Sequence, residues 1–378
     1  MKSNTLGIGW LVSVLFFAAC SGNSDEPAPV SVPTDARVTI AVKAQSAATR
    51  AVVDPNAQAG EININRLTAF IFNEDGTELL GSKTDTVGSA DGEGKILDVP
   101  ARSVKARIVV VANAPEHAFD GVQTLGDFRE MQAELPSQTQ QNLTMSTPEI
   151  VTDSPLAKDD NYIGFGGVDN VNGLGTPLAL TRIAARIDVA KIAVDFKGTE
   201  LNGRTVRIDG MYLAKAKSAS LYASADHWGA VEVAGKLVYG TGAEQVAGFL
   251  SGVEQPADYL TRIPSGMTVQ ENAPVKNACS FYTFENKADA AHTTLVVKAT
   301  LLAQSPWKAQ ERYFTAVVNP DGKALRYDHD YIRRNYVYRL NITFTGKSFP
   351  DNEYDVADLR VSISVAPWNT VLVTPDLE

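Results

Sequence analysis

The sequence predicts a mainly β protein with one or two short helices, arranged as two β-sandwich domains in tandem that meet near residue 180. Three observations carry this. Strand-like runs bounded by Gly, Asn, Asp and Pro recur along most of the chain. Only one stretch combines the apolar spacing of a helix with a capping residue. At 378 residues, the chain is long enough for two domains of ordinary size.

The N-terminus is read first as an address. Lys2 supplies a positive charge, and residues 6–19 form an apolar stretch too short for a membrane span but suited to a secretory signal peptide. It ends Phe17-Ala18-Ala19-Cys20, two small residues before a cysteine. This resembles the lipobox of bacterial lipoproteins and implies a signal peptide over 1–20 with a diacylated Cys20. Phe17 stands where a lipobox usually has Leu; a plain cleaved signal with an incidental cysteine is the alternative. Residues 21–35 are rich in Ser, Pro and acid and read as a tether. The pair Asp25-Glu26 resembles the surface-export signal of Bacteroidetes lipoproteins.

The first strand follows, with Val38, Ile40 and Val42 alternating against Arg37, Thr39 and Ala41. A small, polar segment with a lone Arg50 connects it to the rest, through a loop containing Asp54-Pro55-Asn56 and Gly60. Residues 62–72 and 95–99 read as strands, and 106–113 is a continuous apolar run, as expected of a strand buried on both faces. Residues 127–135 predict the helix: Asp127 as cap, Glu130 completing a capping box, Phe128, Met131 and Leu135 on one face, and Pro136 as terminator. Residues 138–177 read as loop. Over 178–196 the pattern is ambiguous. Two strand segments with a bulge near Ala190-Lys191 fit better than a helix, which remains the alternative. Strands then recur at 206–213, 280–284, 294–301, 313–318 and 336–344.

Composition excludes several functions. Net charge is −10. Removing residues 1–50 takes away four bases (Lys2, Arg37, Lys43, Arg50) and three acids (Asp25, Glu26, Asp35), leaving 30 bases against 41 acids, or −11. Such a body offers no footprint for nucleic acid or anionic lipid. With Cys20 acylated, Cys279 has no disulfide partner and reads as a buried small hydrophobe. None of the four histidines stands in a two-histidine metal spacing, and there is no G-x-S-x-G elbow. Asp328-His329-Asp330 reads as a polar loop, because adjacent residues of an extended chain rarely converge on a metal. Gly164-Phe165-Gly166-Gly167 reads as turn, and Phe281, Tyr282 and Phe284 read as core and sheet surface. Asp85-Thr86-Val87 matches a short Bacteroidetes O-glycosylation motif that arises often by chance. No enzyme and no cofactor is expected.

Residues 280–301 (SFYTFENKADAAHTTLVVKATL) and 331–346 (YIRRNYVYRLNITFTG) resemble the C-terminal domain of the Bacteroidetes fimbrillins, the subunits of type V pili. Phe284-Glu285-Asn286 and Arg334-Asn335 with Tyr338-Arg339 carry most of the likeness. Residues 180–189 (LTRIAARIDV) resemble the family's domain junction, while 114–177 and 214–278 match only by position. The resemblance implies transthyretin-like, Greek-key sandwiches over 51–180 and 181–378. It implies an outer-membrane lipoprotein precursor cut by an arginine-specific or trypsin-like protease between Arg50 and Ala51. The strand of Val38, Ile40 and Val42 is then a placeholder, removed with residues 21–50, whose slot another fimbrillin subunit fills by strand addition. The expected donor lies at the other end: Val361, Ile363, Val365 and Trp368, then Val371 and Val373 beyond Pro367. An ordinary terminal strand is the alternative for that segment. The function implied is a shaft or accessory stalk subunit of an extracellular fimbrium that supports adhesion and biofilm formation. A tip adhesin, or a monomeric surface lipoprotein binding a glycan or host protein, is the runner-up, with Tyr222, Trp228, Tyr239 and Tyr259 as rings that could face such a receptor.

Overall fold

The computed structural model describes residues 34–44, 58–169, 175–223, 236–246, 250, 254–287, 291–350 and 358–368. Cys20, Arg50, Ala51, Val371 and Val373 lie outside them. The described residues are mostly strand.

In the first half, β1 (Ala36–Ala44), β2 (Ile64–Asn73), β3 (Leu79–Ser89), β4 (Glu93–Ala101) and β5 (Ala106–Ala112) are followed by one helix, α1 (Leu125–Glu130). Then come β6 (Gln132–Glu134), β7 (Met145–Ser146), β8 (Ile150–Val151), β9 (Asp159–Ile163) and β10 (Leu178–Arg182). All of these strands except β6 form one sheet of order β3-β2-β5-β7-β10-β1-β4, with β8 added on β5 and β9 on β1. The two ends of that order come together. Lys83 Nζ donates to the Leu97 carbonyl at 2.8 Å, and a Cβ at Gly81 would stand 2.1 Å from the Pro100 carbonyl oxygen.

The continuous apolar run of β5 is buried on both faces, as its composition predicts. Ile108 and Val110 join one core with Ile40, Leu67, Ile71 and Ile96. Val109 and Val111 face a second core with Phe70 and Phe72, covered by Phe128 of α1. The helix differs from the sequence expectation. Thr124 is the N-cap and Asp127 its reciprocal partner three residues on: Asp127 N–H donates to Thr124 Oγ1 at 3.0 Å, and Thr124 N–H to Asp127 Oδ2 at 2.8 Å. The Gln123 N–H, 3.0 Å from Oδ2, and the Thr124 N–H together hold the Asp127 carboxyl below its usual range. The helix stops at Glu130, because Met131 is already extended and residues 132–134 pair with another strand rather than continuing the turn.

The expected bulge within residues 178–196 is present, and a change of sheet precedes it. β10 ends at Arg182, and β11 (Ala185–Asp195) begins a different sheet. Within β11 both neighbouring ladders skip a residue between Val189 and Lys191, so the bulge falls at Ala190. No helix forms there. Next in the chain are β12 (Val206–Ala214), β13 (Ala216–Lys217), β14 (Ala219–Leu221), β15 (Leu237–Tyr239), β16 (Gln255–Pro256), β17 (Thr261–Arg262) and β18 (Thr268–Val269). The last five strands are β19 (Val275–Thr283), β20 (Thr294–Leu301), β21 (Gln310–Val317), β22 (Tyr336–Thr345) and β23 (Arg360–Pro367). They make a sheet β19-β11-β22-β23 and a sheet β17-β12-β20-β21, with β18 on β12. Phe281, Phe314, Phe344 and Phe349 are all buried in the core these strands share. The pair β6–β14 joins a strand of the first half to one of the second.

The cap is a local stabiliser with a measurable weight. Thr124→Ala removes the side-chain acceptor and is expected to cost about 1 kcal/mol, read as a lowered midpoint in urea unfolding. An unchanged midpoint would show that β2, β5 and Phe128 alone fix α1.

Candidate functional site

The first strand has no free edge. On one side β1 runs antiparallel to β4, with Val38 opposite Val99, Ile40 opposite Ile96 and Val42 opposite Gly94. On the other it runs parallel to β9 (Ala36–Ile40 against Asp159–Ile163) and then to β10 (Val42–Ala44 against Leu178–Leu180). Val38, Ile40 and Val42 are at most 1% exposed. Gly94 leaves room for the neighbouring Val42 and Leu67 side chains, and Gly164 lets a loop close over the strand. At φ +82°, a Cβ on Gly164 would lie 2.5 Å from the Ala41 carbonyl oxygen. Exposed ion pairs, Arg37–Asp160 at 2.9 Å and Lys43–Glu93 at 2.6 Å, mark the rims and contribute little. Burying each of the three β-branched side chains is worth roughly 1.5–3 kcal/mol. Taking β1 away would therefore leave an apolar slot with unpaired backbone on both walls.

At the other end, β23 is an edge strand paired antiparallel to β22, with Val361 opposite Ile342, Ile363 opposite Leu340 and Val365 opposite Tyr338. Val361 and Ile363 are half-buried; Val365 is buried. Trp368 is buried as well. Its N–H donates to the Asn335 carbonyl at 2.8 Å, its ring stacks parallel to Tyr282 at 6.0 Å, and the Arg182 guanidinium lies 4.8 Å over it.

That tryptophan belongs to a buried charged cluster that residue types alone do not reveal. Glu61, 3% exposed, accepts from Arg186 Nη1 at 2.6 Å, from the Tyr282 hydroxyl at 2.9 Å and from Trp368 Nε1 at 3.4 Å. Its backbone carbonyl accepts from Arg182 Nε at 3.1 Å. Arg186, fully buried, also pairs with Asp188 at 3.0 Å. Burial pushes the Asp188 carboxyl upward, against the pull of Arg186 and the Ser280 hydroxyl. Both arginines lie in LTRIAARIDV. The sequence signal was available there: charged residues interrupting an apolar strand pair.

The two motifs that identify the second half prove structural. Glu285 and Arg334 form a buried bidentate pair, Nη2 to Oε1 at 2.5 Å and Nε to Oε2 at 3.2 Å. Arg334 also donates to Ser220 Oγ at 2.7 Å and to the Leu221 carbonyl at 3.0 Å, both in β14. Since β14 pairs with β6, this ion pair holds the ribbon that joins the two halves. The Asn286 amide donates to the carbonyls of Lys215 and Ala291, and Asn335 N–H donates to that of Ala184 at 2.9 Å.

The remaining sequence candidates resolve plainly. His329 Nδ1 meets Asp328 at 2.5 Å and Nε2 meets the Tyr338 hydroxyl at 2.6 Å, while Asp330 accepts from the Lys323 N–H. Asp328 and His329 thus pair with each other while Asp330 turns to a different partner, and no group of three metal-ligating side chains occurs among the described residues. Burial lowers the His329 pKa, against the Asp328 hydrogen bond, and favours the neutral ring. Cys279 is half-buried beside Met211 Sδ, 3.7 Å away, and burial pushes its thiol up to about 12. Of the four rings offered for a receptor, Tyr222 is a correction: at 1% exposure it packs on Phe119, 4.7 Å between centroids, because it directly follows β14 and its backbone N–H bonds the carbonyl of Met131, the C-cap residue that ends α1. Tyr239 packs against a small core cluster, Tyr259 is 37% exposed, and Trp228 lies outside the described residues.

Comparison with known proteins matches this architecture on both sides of the β10–β11 break. Residues 36–182 match the family model described as Major fimbrial subunit protein (FimA). Residues 183–371 match the one described as Fimbrium tip subunit Fim1C-like, C-terminal domain. A candidate fimbrium tip subunit, Fim1C, of Parabacteroides distasonis is 39% identical over 343 residues, covering 89% of this chain and 87% of its own. Major fimbrium subunit FimA type-4 of Porphyromonas gingivalis is 30% identical, covering 95% and 96% respectively. Among solved structures, a candidate cell adhesion protein from Parabacteroides distasonis superposes with a TM-score of 0.76 at 37% identity, over 89% of this chain and 98% of that one. A fimbrilin from Porphyromonas gingivalis shares the fold, with a TM-score of 0.66 at 23% identity over 90% and 99%. The protein is thus a fimbrial subunit, part of a cell-surface appendage. It belongs to the Bacteroidetes fimbrillin family.

The ion pair at the ribbon makes a sharp expectation. Glu285→Ala strands the buried Arg334 and should cost about 3–5 kcal/mol of stability. Replacing both partners, Glu285→Met with Arg334→Leu, should cost much less. Equal losses in the two variants, measured by urea unfolding, would show that the pair's charge is not what matters.

Proposed function

We propose that this fimbrial subunit assembles by exchange of the strand at its β1 position. The observation that carries the reading is that β1, the first described strand, sits inside its sheet rather than at an edge. The precursor travels as a lipoprotein acylated at Cys20. An arginine-specific or trypsin-like protease cuts between Arg50 and Ala51, in the segment between Ala44 and Gln58. β1 then leaves, and an apolar strand of another fimbrillin enters the slot. Three or four inserted aliphatic side chains at roughly 1.5–3 kcal/mol each, with ladder hydrogen bonds at about 0.5–1.5 kcal/mol each, outweigh the cost of ordering a tail. The joint then hardly dissociates.

Within the pilus we place the chain in the distal part, as the tip or as the accessory stalk subunit beneath it. The likeness of residues 183–371 to a tip-subunit domain favours the tip. The alternation of Val361, Ile363 and Val365, resumed at Val371 and Val373, favours a subunit that also donates. A shaft role shares that second requirement. Adhesion is the activity that this position serves.

Two experiments test the reading. Mass spectrometry of the protein recovered from cells should show a chain that begins at Ala51, and Arg50→Ala should retain the acylated N-terminus and remain outside the pilus. An Arg50→Ala chain that still begins at Ala51 and still polymerises sinks the processing step. Val371→Asp with Val373→Asp decides the position, because an aspartate in an apolar slot costs several kcal/mol. A stalk or shaft subunit so changed should cap its pilus and block further growth. A tip subunit should be incorporated as before.

A further inference from the structure

The chain leaves β1 at Ala44 and re-enters the described structure at Gln58, three residues before Glu61. Two routes lead from β1 to Trp368. One runs through the sheet: Ala44 is in register with Leu180 of β10, which ends at Arg182, the guanidinium over the Trp368 ring. The other runs along the chain to Glu61, whose carboxylate is held by Arg186 of β11, Tyr282 of β19 and the Trp368 indole. Trp368 directly follows β23, whose last residue Pro367 is in register with Tyr336, and the Trp368 backbone N–H bonds the Asn335 carbonyl.

We propose that this buried cluster couples the seat of β1 to the seat of β23, so that withdrawal of β1 loosens residues 358–368 and the subunit opens its slot and frees its C-terminal strand together. The inference rests on the reading of β1 as a removable strand. Its physical basis is that Glu61 and Arg186 are nearly fully buried and cannot be left unpaired. When β10 loses its ladder partner and the segment before Glu61 loses its tether, the groups that clamp Trp368 move or lose their geometry. Tail and strand thus share one set of contacts, and a coupling of this kind acts equally in both directions. An uncut precursor keeps both of its ends closed.

Hydrogen exchange read by mass spectrometry on the full uncut chain tests this. Ile40→Asp, which drives β1 from its slot without cutting, should raise exchange in 358–368 at least tenfold, together with that in 36–44, while β12 and β20 keep their protection. If Ile40→Asp unfolds the whole chain, Ile40→Ala should give the same pattern at smaller amplitude. Glu61→Gln should raise exchange in 358–368, and Trp368→Leu should raise it in 36–44. Opening of 36–44 with unchanged protection of 358–368 overturns the coupling, as does a Trp368→Leu chain whose β1 exchanges as before. Polymerisation of the chain cut after Arg50, followed by electron microscopy, separates this inference from the reading beneath it. Polymers from a chain whose 358–368 protection never changed would overturn the coupling and keep strand exchange. Loosening without polymers would do the reverse.

Discussion

Both backbone edges of β1 are hydrogen-bonded, and the first half of the structure is arranged around that constraint. An interior strand cannot be removed without leaving two open walls, so whatever occupies the position closes the core. A strand joined to its slot by a short connection is present at a high effective concentration, in the millimolar range for short linkers. Cutting the connection removes that advantage and none of the contacts. The alternation of Val38, Ile40 and Val42 is therefore enough to fill the slot, and it contains nothing that only this strand could provide.

The second constraint is electrostatic. Three ionised side chains, Glu61, Arg186 and Arg334, are almost completely removed from water, and Glu285 joins them. Buried pairs of this kind seldom add net stability, because desolvation offsets the attraction. What they add is a fixed geometry at places where apolar packing would tolerate sliding. Glu61 and Arg186 stand where the chain passes from one sheet to the next; Glu285 and Arg334 stand where the β6–β14 ribbon crosses. An apolar replacement could fill the same volume, but it would not select one register for those joints.

Period-2 patterning was legible where apolar and polar residues alternate, as in β1 and β22, and where a run is apolar throughout, as in β5; β3, made mostly of small and polar residues, was not read as a strand. The bulge at Ala190 could be read because the apolar phase changes there. The helix was misplaced for an identifiable reason: Thr124 and Asp127 form the capping pair, and Met131 and Leu135 were assigned to a helical face although a partner strand 85 to 89 residues away, out of sight of any local pattern, claims 132–134. Glu61 was unreadable in a similar way. Nothing local distinguishes it from a surface glutamate, and its partners lie 125, 221 and 307 residues along the chain. The motifs around Glu285 and Arg334 could be recognised as a likeness, but their task appears only when Ser220 and Leu221 are seen between them.

The walls of the slot also limit what can replace β1. Its two ladders are of opposite sense, antiparallel to β4 and parallel to β9 and β10, and each extends along most of the strand. A replacement running the other way would exchange one antiparallel and one parallel ladder for the same pair on opposite walls, so backbone pairing alone barely selects a direction. A period-2 row of aliphatic side chains is equally indifferent. The asymmetry lies in the wall. Between Ile96 and Val99, β4 carries one residue more than β1 needs, and Asp98 there adopts φ +51° and bonds through its N–H to Thr39 Oγ1 at 3.4 Å. The bulge makes one end of the slot unlike the other. A strand that refills it must present its side chains in register with this kink, and a polar residue with the reach of Thr39 opposite Asp98 fits better than another aliphatic one. In the proposed exchange, direction and register are thus set by β4, the wall that carries the bulge.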